Sequence, residues 1–217
     1  MTHKTRVAVL VSGFGSNLQT FINGANNGTL PIEIVGVISN KEDVFGLERA
    51  KNAGIASQCI PHGQYVDRET FDQALLAQLE EWQTELVVLA GFMRILSSSF
   101  VEHFKNRLIN IHPSLLPSYT GLNTHQRVID AGEKWHGASV HFVTPKLDAG
   151  PVIVQGKLRV HENDTAETLE QRIHTIEHQI YPLAVQWFAE GKLCIANEGN
   201  VLLNNAENTE QVITFNV

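Results

Sequence analysis

The sequence predicts an α/β fold of Rossmann-like type: a mostly parallel twisted sheet with helices on both faces. Three observations predict it. Residues 6–12, 32–39 and 86–90 are near-continuous apolar runs, the pattern of strands buried on both faces of a parallel sheet. Segments with apolar residues at helical spacing lie between them. The first run ends directly in a glycine turn, Ser12-Gly13-Phe14-Gly15-Ser16-Asn17, after which Leu18, Phe21 and Ile22 keep helical spacing.

That turn is the first candidate site. A strand, a glycine turn and a helix start leave backbone N–H groups and the positive end of the helix dipole facing one spot, which suits an anion. A dinucleotide loop or a plain tight turn are the alternatives. Leu18 stands where a dinucleotide loop has its third glycine, and the second strand ends in Asn40-Lys41 with no acidic residue for a ribose. A phosphate monoester is the better guest.

Further along, a helix is expected over 44–53, a short strand over 58–60 and a helix over 67–82, with Phe71, Leu75 and Leu79 on one stripe. Arg68 falls in that helix's first turn, where a cation gains nothing from the dipole and is free to face a ligand. After the strand at 86–90, Gly91-Phe92-Met93-Arg94-Ile95-Leu96 forms an apolar loop, expected either to line a cleft or to fold into the core. Ser97 or Ser98 then caps a short helix through His103.

The chain's organising stretch follows. A strand, Leu108-Ile109-Asn110-Ile111, stops at His112-Pro113-Ser114, and Asn110 and His112 share one face of it. A second strand, Ser139-Val140-His141-Phe142-Val143, leads to a polar turn holding Asp148-Ala149-Gly150-Pro151. If these strands are neighbours, an amide, an imidazole and a carboxylate meet at their ends. That set suits amine attack on a carbonyl. Donors aimed at the developing oxyanion carry most of the rate, each worth roughly 10²–10³. An imidazole donates and moves protons near neutral pH, and an adjacent carboxylate favours its charged form. No Ser or Cys is paired with this His, so direct transfer is expected. A capped strand end and an ordinary turn Asp are the plain alternative.

A strand is expected over 152–159, and Asp164-Thr165-Ala166-Glu167 opens the longest helix. Leu169, Ile173, Ile176, Ile180, Leu183 and Trp187 read as its core stripe. Pro182 should bend this helix or divide it. Residues 192–203 read as a hairpin turning at Glu198-Gly199-Asn200, followed by a strand over 211–215.

Composition frames these readings. A chain of 217 residues suits one well-buried domain and is short for two. Its net charge of −7, with no Lys/Arg cluster, gives no support for nucleic-acid binding. Cys59 and Cys194 match no metal or redox spacing, and no apolar run suggests a signal peptide or a membrane span. A cytoplasmic enzyme of small-molecule substrates is expected, monomeric or weakly dimeric. His125, His136 and His141 match no common metal motif, and no metal is expected.

Asn110-Ile111-His112-Pro113-Ser114-Leu115-Leu116-Pro117, then His136-Gly137-Ala138-Ser139-Val140-His141-Phe142-Val143 and Asp148-Ala149-Gly150-Pro151, resemble the signature of the folate-dependent formyltransferases. The resemblance covers roughly residues 6–189. It implies one formyltransferase domain over 1–217, with a phosphate-binding half to about residue 105 and a folate-facing half from about 106. It implies transfer of the formyl group of 10-formyltetrahydrofolate to the amine of 5'-phosphoribosylglycinamide, with Asn110, His112 and Asp148 catalytic. Gly15, Ser16 and Asn17 would hold the substrate phosphate and Glu177 the sugar hydroxyls. Arg68, Met93, Arg94, Ile95 and Leu96, with Asn110, Thr144, Pro145, Lys146, Leu147 and Asp148, would contact the folate. The chain departs from the family's usual residues at Thr120, where proline is common, and at Asn123, where histidine is common.

Four other readings stand beside this one, and a dinucleotide oxidoreductase, which nicotinamide binding would reveal, is the fold-level alternative. A tRNA-directed formyltransferase would continue into an RNA-binding domain, and a formyltetrahydrofolate deformylase would carry a regulatory domain ahead of the first strand. A folate- or nucleotide-binding regulator would bind without turnover.

Overall fold

The computed structural model describes residues 3–196, 200–204 and 212–217. They form two compact units, Met1–Asn110 and Ile111–Val217.

In the first unit five strands run parallel in the order β3-β2-β1-β4-β5. They are β1 (Thr5–Val11), β2 (Ile32–Ser39), β3 (Ser57–Cys59), β4 (Leu86–Leu89) and β5 (Leu108–His112), whose last two residues begin the second unit. Helices α1 (Ser16–Asn27), α2 (Phe45–Asn52), α3 (Arg68–Glu81) and α4 (Ser98–His103) connect them. Right-handed crossovers place α1 and α2 on one face and α3 on the other, because the order reverses between β1 and β4. Such a reversal opens a crevice at the strands' carboxyl ends. Residues Val7 to Val11 and the whole of β4 are buried, as two-sided burial requires. Phe71, Leu75 and Leu79 of α3 are buried as the spacing predicts.

The second unit orders its strands β5-β6-β7-β10, with β6 (Trp135–Phe142) and β7 (Val152–Arg159) antiparallel and β10 (Val212–Thr214) parallel to β7. Helix α6 (Ala166–Ala189) packs on β6, β7 and α5 (Thr124–Asp130). It comes close enough that a Cβ at Gly156 would lie 2.2 Å from Ile176 Cγ2. Strands β8 (Leu193–Ile195) and β9 (Val201–Leu203) make the expected hairpin. Glu198 and Gly199 of its turn, and Gln211 before β10, lie outside the described residues.

Three expectations need correction, and helix α5 was not anticipated. Strand β6 starts at Trp135, ahead of Ser139. Pro182 does not divide α6, which runs unbroken through it. Proline inside a helix costs about 3 kcal/mol, yet Ile180, Tyr181, Ala184 and Val185 around it are fully buried and hold the helix to its sheet. Around the proline Tyr181, Ala184 and Val185 carry the buried stripe, while Leu183 and Trp187 are only half-buried.

Candidate active site

In the first unit, the crevice end of β1 carries the glycine turn. Gly15 sits at φ 72°, a left-handed conformation that disfavours side chains, and a Cβ there would lie 2.9 Å from Gly46 Cα. Gly46 N donates to Gly13 O at 3.0 Å, which fixes this close approach. Helix α1 then starts at Ser16 without a side-chain cap, at the turn where the sequence leads one to expect an anion. Beside it, Arg49 lies 4.6 Å from the centroids of both Phe14 and Phe45 and donates from Nε to Phe14 O.

The end of β4 carries the apolar loop. Phe92 and Leu96 are buried, but Met93 is 63 % and Ile95 54 % exposed, and Arg94 is exposed between them. Arg68 is the first residue of α3, also exposed, after the Asp67 cap.

Strand β5 presents Asn110, half-buried, and two residues later His112. In the second unit His112 Nδ1 stands 3.6 Å from Asp148 Oδ2, with the two side chains only 8 % and 7 % exposed. On the other side of the ring, His112 Nε2 is 2.9 Å from Tyr119 O. A carbonyl only accepts, so Nε2 carries a hydrogen in this state. Gly121 N donates to Asp148 Oδ2 at 2.8 Å. Thus a loop from Ser118 to Asn123 covers both groups with its backbone, and Tyr119, Gly121, Asn123 and Asp148 all have positive φ.

The supports of this pair escaped sequence reasoning. Ser139 Oγ donates to Ser114 O and accepts from Leu116 N at 3.0 Å. Gln155 Nε2 donates to Ser139 Oγ and Leu116 O. A serine inside the buried β6 was the available signal. Gly150 lets the Asp148 turn return along β6, because a Cβ there would meet Phe142 O at 1.7 Å. Thr144, Pro145, Lys146 and Leu147 form that turn's outer side, with Leu147 53 % exposed. Glu177 is buried on α6.

His136 and His141 are buried and His125 is half-buried. His141 Nδ1 lies 2.9 Å from Phe142 O, and burial lowers its pKa. His136 Nε2 meets His125 Nδ1 at 3.0 Å. Burial, then the neighbouring His125 and His112, lower the His136 pKa to about 3. This imidazole pair was not anticipated.

The sequence pattern of the formyl transferase family matches residues 5–185. The chain is 48% identical over 187 residues to phosphoribosylglycinamide formyltransferase of Escherichia coli (strain K12), covering 86% of this chain and 88% of that protein. It is 46% identical over 200 residues to the trifunctional purine biosynthetic protein adenosine-3 of Gallus gallus, covering 92% of this chain and 20% of that longer protein. Among solved structures, the phosphoribosylglycinamide formyltransferase of Coxiella burnetii in complex with CHES superposes with TM-score 0.91 at 47% identity, covering 98% of this chain and 100% of that one.

Proposed function

This chain belongs to the formyl transferase family, and we propose that it moves the formyl group of 10-formyltetrahydrofolate to the glycinamide amine of 5'-phosphoribosylglycinamide, a step of purine biosynthesis. The observation that carries the mechanism is the sheltered His112–Asp148 pair at the end of β5. The family pattern extends over both compact units, which supports reading the chain as one formyltransferase domain.

The amine nitrogen attacks the formyl carbon, and negative charge gathers on the formyl oxygen. Asn110 and His112 donate hydrogen bonds to that oxygen. The carbon–N10 bond then breaks, His112 supplies a proton toward N10, and the amine's proton leaves toward Asp148, directly or through water. His112 Nε2 becomes available when the Tyr119 carbonyl moves off it. Gly15, Ser16 and Asn17 hold the phosphate, and Glu177 holds sugar hydroxyls. Arg68, the loop of Met93, Arg94, Ile95 and Leu96, and the turn from Thr144 to Asp148 take the folate, the exposed Met93 and Ile95 supplying flat apolar contact. No step calls for a metal. Among the described residues no helix is long and apolar enough to cross a membrane.

The test is an assay of 10-formyltetrahydrofolate consumption with and without 5'-phosphoribosylglycinamide. Consumption that requires the amine, with formylated product, is expected. Formate release without the amine would make the protein a deformylase, and binding without turnover would make it a regulator.

A further inference from the structure

The phosphate turn and the folate-facing loop of the first unit meet at one hydroxyl. Ser12, the last residue before Gly13, is 6 % exposed. Its Oγ accepts from Met93 N at 2.8 Å and donates to Asn40 Oδ1. Asn40 is itself fixed: it is 1 % exposed, and its Nδ2 lies 3.2 Å from His62 Nδ1. The far end of the same loop is tied independently, because Ser97 N donates to the buried Asp72 Oδ2 of α3. Met93 to Leu96 is therefore held at two points, and only one of them belongs to the phosphate turn.

We infer that Ser12 is a positioning residue that couples the two substrate sites, setting the folate-facing loop according to the state of the phosphate turn. The inference rests on the phosphate reading of Gly15 to Asn17. A hydroxyl that is donor to Asn40 and acceptor for Met93 has both roles filled, so a small shift of the turn moves the Met93 amide with it. Asp72 has no such link to the turn.

The experiment follows backbone amide resonances of the full chain while inorganic phosphate is added. Shifts at Gly15, Ser16 and Asn17 together with Met93 are expected in the wild type. In Ser12→Ala, and in the similarly sized Ser12→Cys, the turn amides should still shift while Met93 stays in place, and Ser12→Thr should restore its response. Steady-state kinetics gives a second readout. Ser12→Ala should raise KM for both substrates by about three- to tenfold, the scale of one net hydrogen bond, whereas Asp72→Ala should raise KM for the folate alone. Turn shifts without a Met93 shift in the wild type, or an undiminished Met93 shift in Ser12→Ala, would overturn the coupling. Absence of any shift at the three turn amides would instead remove the phosphate reading, and the coupling with it.

Discussion

Acidifying the solution from pH 7.5 to 5.5 loads a proton onto the unfolded chain that the native fold refuses at His136. This side chain is 1 % exposed on β6 and hydrogen-bonded to His125. Its pKa falls from 6.5 to about 3, first through burial and then through His125 and His112. The folded value lies below the unfolded one. Its contribution is therefore fully present above about pH 6.5 and is lost as pH falls toward about 3. Between those values each pH unit removes ~1.4 kcal/mol, and linkage gives a loss of ~1.4 kcal/mol at pH 5.5. Burial lowers the pKa of His125, His141 and His178 as well, so their contributions have the same sign. Urea unfolding followed by far-UV circular dichroism at both pH values measures the total. His136→Gln removes the titration at this position but keeps a polar group for His125. The pH-dependent loss should shrink by ~1.4 kcal/mol in the variant. Equal losses in the two proteins, or a His136 ring resonance titrating near 6.5, would show that the fold accepts the proton after all.

Three further outcomes are expected. Gly156→Ala places a Cβ 2.2 Å from Ile176 Cγ2 and 2.9 Å from Phe215; overpacking of this kind costs about 1–3 kcal/mol, read as a lower urea midpoint. Thr165 and Thr168 form a capping box at the start of α6, and Thr165→Ala should destabilise by ~1 kcal/mol in the same assay. Asp148→Asn should cut turnover by about 10² or more while the thermal midpoint stays near wild type. Near-normal turnover would take Asp148 out of the mechanism.

The strands were legible where burial is two-sided or the ends are marked. Ile32–Ser39 and Val152–Arg159 appear with the bounds their apolar runs predict. Helix α5 was not legible because it has no side-chain N-cap and starts from Asn123 at φ 57°, leaving only Thr124 and Val128 buried. The outcome at Pro182 depended on contacts from distant strands, which outweigh a local penalty. At the candidate site, residue types and order pointed to His112 and Asp148. Their present partners, Tyr119 O and Gly121 N, are backbone atoms, and the letters of a sequence do not say which backbone group will face which side chain. The His125–His136 contact likewise joins a helix that went unread to the unread start of β6.

If His112 and Asp148 act as one device, a double-mutant cycle on kcat/KM will show it. His112→Gln, Asp148→Asn and the combined variant are compared with the wild type, each checked for an unchanged thermal midpoint. The combined variant is expected to be little slower than the worse single variant, because residues acting together lose their effect once. Losses that multiply would contradict the claim and leave two independent side chains that happen to lie 3.6 Å apart.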